Sequence, residues 1–281
     1  MILKGFIHRG FRNPVLLLSS VMILLVVLSS ILAPLITPYD PSEMNSKVRL
    51  SAPSVEHWFG TDQFGRDVFT RVIYGSRLSL QIAITAVFTA VIIGGIIGIL
   101  SGYYGGWLDA ITIRIMDVLI AFPSLLLALF LVAILGPDIK NLILAISLTR
   151  IPYFARLVRA EVASLERRPF VEAGRMVGAT DFRIMIFHLL PNVFPLILVF
   201  ATMDIATAVI AESSLSYLGL GAQPPTPSWG RMLTEARGFL GRAAWLSIFP
   251  GFFLMVTIIS FNLLGDSLRD IVDPRLRRGN K

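Results

Sequence analysis

A chain of 281 residues that is 55% hydrophobic and only 15% charged holds more apolar side chain than one soluble core needs; about 25% charge is usual for a soluble domain. It has no cysteine, which excludes a disulfide scaffold, a thiolate metal site and a catalytic thiol. The net charge of +7 could suit a nucleic-acid binder, but the arginines cluster in particular loops and fit a membrane topology better.

Crossing a hydrocarbon core of ~30 Å takes roughly 20 mostly apolar residues. The first such run is Val15 to Ile36, preceded by Lys4, Arg9 and Arg12. It is too long for a signal peptide, and Pro34 to Pro38 is a poor cleavage site, so it reads as a retained anchor. The second run is Leu80 to Leu100 and the third Val118 to Leu135. A fourth, Asn141 to Phe154, is short and interrupted by Arg150 and Pro152. The fifth runs from Val193 to Tyr217 and the sixth from Trp245 to Leu264. The predicted fold is an all-α integral membrane bundle of six helices. Residues 1–78 form the anchor and an outer loop, and residues 79–281 the core, with a projecting loop at 160–191.

Basic residues stay on the cytoplasmic side. With both termini inside, the inner segments are the N-terminal arm, the turn with Arg114, the stretch Arg156 to Arg183 and the tail Arg269 to Lys281. That arrangement puts 16 Lys and Arg inside and nine outside, Arg150 being counted inside.

The inner stretch Glu166 to Pro191 carries the most local information. Pro169 suits a first helical turn, and a helix over Phe170 to Val177 would stop at Gly178, a residue that tolerates a left-handed C-cap. Thr180 or Asp181 can cap a second helix, in which Phe182, Met185, Ile186, Leu189 and Leu190 make one apolar stripe before Pro191 opens the next span. Periodicity alone favours an amphipathic connector lying on the headgroups.

Gly94, Gly98, Gly102 and Gly106 recur every fourth residue, a spacing that lets helices approach closely in lipid. No lysine follows a glycine, so the phosphate loop G-x-x-x-x-G-K-[ST] is absent and any ATP-driven motor must be another chain. Charges inside spans cost at least ~2.5 kcal/mol each, so Arg150, Asp204 and Glu212 need a reason. Asp204 and Glu212 are about 80° apart around a helix and can face one cavity. They and Arg150 either line a pathway or form a structural ion pair. Asp67 reads as a helix cap, and with Asp62 it lacks the spacing of a calcium loop, so no metal site is expected. His8, His57 and His188 fall on different sides and cannot build one catalytic centre.

Glu172-Ala173-Gly174, then Gly178-Ala179 and Asp181, then His188 and Leu190-Pro191, resemble the EAA motif of bacterial ABC importer permeases. Gly174 stands where Ala is usual and His188 where Ile is usual. Three further segments are similar to the C-type permeases of the dipeptide, oligopeptide and nickel family. They are Phe59 to Asp67, Ser216 to Gly221 with Pro224 to Gly230, and Asn262 to Asp266 through Leu268-Arg269-Asp270 to Asp273-Pro274. Together they cover the chain from about Pro38 to its end, in order.

The resemblance implies a type I ABC importer fold in which the loop forms coupling helices. Glu172, Ala173, Gly174, Gly178, Ala179 and Asp181 would then dock on an ATPase. It also implies a B-type permease partner, two ATP-binding cassette subunits holding ATP and Mg, and an extracytoplasmic binding protein. The setting would be the bacterial inner membrane, with peptide as cargo and no cofactor on this chain. The competing reading is a proton-coupled carrier acting alone, with Asp204 and Glu212 as its relay; an obvious internal repeat, which such carriers often contain, is missing.

Overall fold

The computed structural model describes residues 14–272, which form helices and one isolated β-bridge between Thr61 and Asp67. The N-terminal arm with Lys4, His8, Arg9 and Arg12, and the tail from Asp273, lie outside the described residues.

Helix α1 (Pro14–Ile31) is followed by one further turn at Ala33–Ile36. Next come α2 (Val68–Tyr104), α3 (Gly106–Ala121), α4 (Ser124–Leu135), α5 (Ile139–Glu166) and the short α6 (Pro169–Met176). Helix α7 runs over Asp181–Tyr217, α8 over Trp229–Ala236 and α9 over Trp245–Val272. Among the described residues, α1, α2, α5, α7 and α9 are long and apolar enough to cross a membrane; α3 and α4, bent by 87°, add a sixth span if taken together.

That bend falls inside the single span expected at Val118 to Leu135. Pro123 has no N–H to donate and drives Phe122 into an extended conformation (φ −85°, ψ 134°), so one helix stops at Ala121 and another starts at Ser124. Two other helices outrun their apolar stretches. Helix α2 begins at Val68, well before Leu80, so position 78/79 lies within it rather than between loop and core. Its cap is Asp67, whose Oδ2 accepts from the Thr70 N–H at 2.7 Å. Helix α5 continues through Pro152 to Glu166, and its added turns carry Arg156 and Arg159. Those two pair with Asp117 and Asp109 of α3, so the charges that end the apolar run do not end the helix.

The glycine stripe explains the closest packing in the bundle. A Cβ at Gly94, Gly98 or Gly102 would stand 2.7, 2.6 or 2.7 Å from the carbonyl oxygens of Ile151, Ala155 and Arg159. Helix α2 therefore lies on the backbone of α5, where van der Waals contact is a main source of association in lipid. Gly106 does not belong to this contact: it opens α3 at φ +57° with free space around it. Elsewhere the helices invert the soluble pattern. Leu25, Phe88 and Phe130 are exposed, whereas Ser76 and Ser260 are buried, each bonding back to a carbonyl of its own helix.

Candidate functional site: the coupling loop and the buried charges

Two ends and one mid-bundle pair hold the chemistry. At the loop end, Pro169 starts α6 and Gly178 ends it at φ +81°. The Gly178 N–H bonds the Arg175 carbonyl (3.0 Å) and the Ala179 N–H the Gly174 carbonyl (3.0 Å), a Schellman closure that needs the left-handed residue. Thr180 then caps α7, its hydroxyl accepting from the Arg183 N–H at 3.4 Å.

The second helix of the loop is not a separate piece. It passes through a π turn, Met185–Leu189, directly into the span, with the Leu190 N–H reaching back to the Met185 carbonyl. The wider turn lets the chain carry Pro191, which lacks a donor, without a break. It also changes which residues are buried. Ile184, Met185 and Leu189 face inward, while Phe182, placed in the stripe by a regular helix period, is 68% exposed. Ile184 joins Val171, Val158, Val162, Ile99 and Leu189 in one apolar cluster, so both short helices rest on the ends of α2 and α5.

Glu172 and Ala173 are exposed and Gly174 is buried; Ala179 is half-buried, Gly178 and Asp181 exposed. The two departures from the EAA pattern meet in space, since a Cβ on Gly174 would lie 4.0 Å from Nε2 of His188. Met176 (89% exposed), Val177 and Phe182 project from the loop.

Within the bundle, Arg150 Nη1 lies 3.5 Å from Asp204 Oδ1, both side chains being buried. Arg150 Nε and Asp204 Oδ2 keep unspent hydrogen-bonding capacity. Glu212 does not join them. It is wholly buried and accepts from Ser216 (2.7 Å) and Ser213 (3.2 Å), with Ser79 and Ser228 also turned to it. Ser79 comes from α2 and Ser228 is the cap of α8, so this carboxylate ties α2, α7 and α8 together.

At the opposite end, Asp62 is engaged by its own chain. It accepts from the Phe64 N–H (2.8 Å), the Arg66 N–H (3.0 Å) and the Arg66 guanidinium (2.6 Å). Asp67 holds the Thr70 N–H and meets His57 Nδ1 at 2.9 Å. Arg66 and Arg71 are almost fully buried, and both reach Glu235 of α8 at 3.0 Å. The glycines of this motif have a use as well. Gly65 (φ +75°) sits where a Cβ would be 1.8 Å from the Asn45 carbonyl oxygen. Arg66 stands in the Phe59 to Asp67 segment, but nothing in the sequence alone pairs it with Glu235 or gives Arg71 and Tyr103 a role. The available signal was two arginines placed where an apolar helix begins.

A multi-span bundle with this loop is the architecture of a transport permease, and comparison with known proteins agrees. The chain belongs to the family of binding-protein-dependent transport system inner membrane components, which matches residues 94–278. The N-terminal TM domain of oligopeptide transport permease C matches residues 3–53, which makes the chain a C-type permease subunit of an ABC importer. A dipeptide transport system permease protein of Alkalihalophilus pseudofirmus is 46% identical over 95% of this chain and 88% of that protein. A glutathione transport system permease protein of Escherichia coli is 44% identical over 97% and 90%. The solved MetNI methionine ABC transporter, in inward-facing conformations, shares the fold: TM-score 0.56, 19% identity, 73% of this chain and 98% of that one. Nothing in these matches favours a solitary proton-coupled carrier.

Proposed function

We propose that this permease imports small peptides, with the loop 160–191 as the docking surface for its ATPases. The cargo follows from the names of its relatives, which are dipeptide and glutathione permeases. In this reading a B-type permease completes the pathway and two ATP-binding cassette subunits hold ATP and Mg. An extracytoplasmic protein delivers the peptide. Both termini and the loop face the cytoplasm, as the distribution of Lys and Arg supports.

The observation that carries the docking role is the two-sidedness of the loop. Val171, Ile184 and Leu189 bind it to the bundle, while Met176 and Val177 stand out from it. Exposed apolar side chains on a rigid projection fit a groove on a partner. Closure of the ATPases would move this projection, and α2 and α5, which share its apolar cluster, would move with it. Arg150 and Asp204, with spare donor and acceptor atoms, would meet peptide or water on the pathway, whereas Glu212 would hold the bundle together.

Mild-detergent extraction of the native complex tests the docking role. Gly178→Asp forces a residue with a Cβ into the left-handed region, at a cost of about 1–2 kcal/mol, and Glu172→Lys reverses an exposed charge. Both are expected to lose the ATPases while keeping the second permease. Full retention of the ATPases in both variants would refute the assignment.

A further inference from the structure

Besides its apolar seam, the loop meets the bundle through two linked polar contacts, the Tyr103–Asp181 bond and the Arg175–Glu166 ion pair. Tyr103 is the penultimate residue of α2, 7% exposed, and belongs to the cluster formed by Val158, Val162, Val171 and Ile184. Its hydroxyl donates to Oδ1 of Asp181 at 2.7 Å, the first residue of α7. Its ring lies 5.4 Å under the guanidinium of Arg175, in the last turn of α6. Arg175 in turn bonds Glu166, the last residue of α5, at 2.7 Å. One side chain thus reaches both short helices on either side of the Gly178 hinge and, through Arg175, the end of α5.

We infer that Tyr103 is a positioning residue that transmits motion of the coupling loop to the α2–α5 pair, through the carboxylate oxygen that the otherwise exposed Asp181 turns to its hydroxyl. The inference rests on the docking role proposed above. The apolar cluster can slide, because dispersion contacts are non-directional, whereas a hydroxyl–carboxylate bond fixes distance and angle. Without it the ATPases would still bind and hydrolyse ATP, but their stroke would be lost in the seam.

The test uses the whole transporter in proteoliposomes, reading ATP hydrolysis together with uptake of a labelled dipeptide or glutathione, whichever the unaltered complex accepts. Tyr103→Phe removes one hydroxyl and keeps the ring. Uptake per ATP hydrolysed is expected to fall about tenfold, the weight of one hydrogen bond to a charged group. Asp181→Ala should reproduce the loss, and the double variant should be no worse than either single one. An unchanged ratio in Tyr103→Phe, or additive losses in the double variant, overturns the inference. If Tyr103→Phe does not accumulate, an unchanged ratio in Asp181→Ala does the same. A cross-link from Val177→Cys, the sole cysteine such a chain would hold, to an ATPase reports docking separately. Its absence in the otherwise unaltered chain sinks the docking role; its persistence in Tyr103→Phe beside a fallen ratio supports the positioning role of Tyr103.

Discussion

The two ends of the bundle are held together in opposite ways. Around Asp62, Arg66, Arg71 and Glu235 the joints are buried charges in direct contact, backed by Trp229, whose indole N–H donates to the Val72 carbonyl at 3.1 Å. Around Val171, Ile184 and Leu189 the joint is an apolar seam with polar contacts at Tyr103–Asp181 and Arg175–Glu166. A buried ion network tolerates little displacement, since any shift leaves a charge without a partner. An apolar seam keeps most of its energy while its members slide by a fraction of a turn. If the loop docks the ATPases as proposed, the first end would serve as a fixed cap and the second as a lever.

Breaking the cap should give the largest effect. Glu235→Ala leaves Arg66 and Arg71 buried against each other with Asp62 as their remaining counter-charge. A loss of about 3 kcal/mol is expected, the lower end for a broken buried pair, because Asp62 still faces both guanidiniums and Glu235 is half-buried. Thermal unfolding in detergent would register it, and added salt should not rescue it, because buried pairs are poorly screened. A variant as stable as the parent would mean that the cap is not ionic in origin.

The seam gives the next effect, close to it in size. Ile184→Ala removes a fully buried side chain and should cost about 2–4 kcal/mol. Here the sharper readout is recovery of the ATPases on co-purification, which should fall in Ile184→Ala and stay intact in those Glu235→Ala molecules that remain folded. Equal behaviour of the two variants in that assay would erase the distinction between cap and lever.

Glu212→Gln should be the mildest. The amide keeps one acceptor oxygen for Ser216, and the hydroxyls of Ser213, Ser79 and Ser228 can rotate to accept from its N–H groups, so about 1 kcal/mol is expected. Transport should survive. Abolished transport with an unaltered melting curve would instead place Glu212 on the pathway.

Features decided within one or two turns of chain were legible from the amino acids. The Asp67 cap, the left-handed stop at Gly178 and the α2 glycine stripe up to Gly102 each depend on a few neighbouring residues, whereas the apolar runs marked where spans lie but not how far their helices extend. The EAA-like order Glu172 to Pro191 located the loop because that segment is contiguous. The π turn was not legible: a regular period put Phe182 inward, and the burial of Ile184 emerges only once the helix is continuous past Pro191. The bend at Pro123 lay under an unbroken apolar run, where composition does not distinguish one helix from two.

What only the tertiary structure decided is which charged groups meet. Arg66 finds Glu235 across most of the chain, Arg150 selects Asp204, and Glu212, which the helix period allowed on the same side, is claimed by serines of α2, α7 and the α8 cap. The physical reason is that a buried charge takes its partner from whatever the packing brings within about 3 Å. That depends on how the helices cross, information no local stretch of sequence carries.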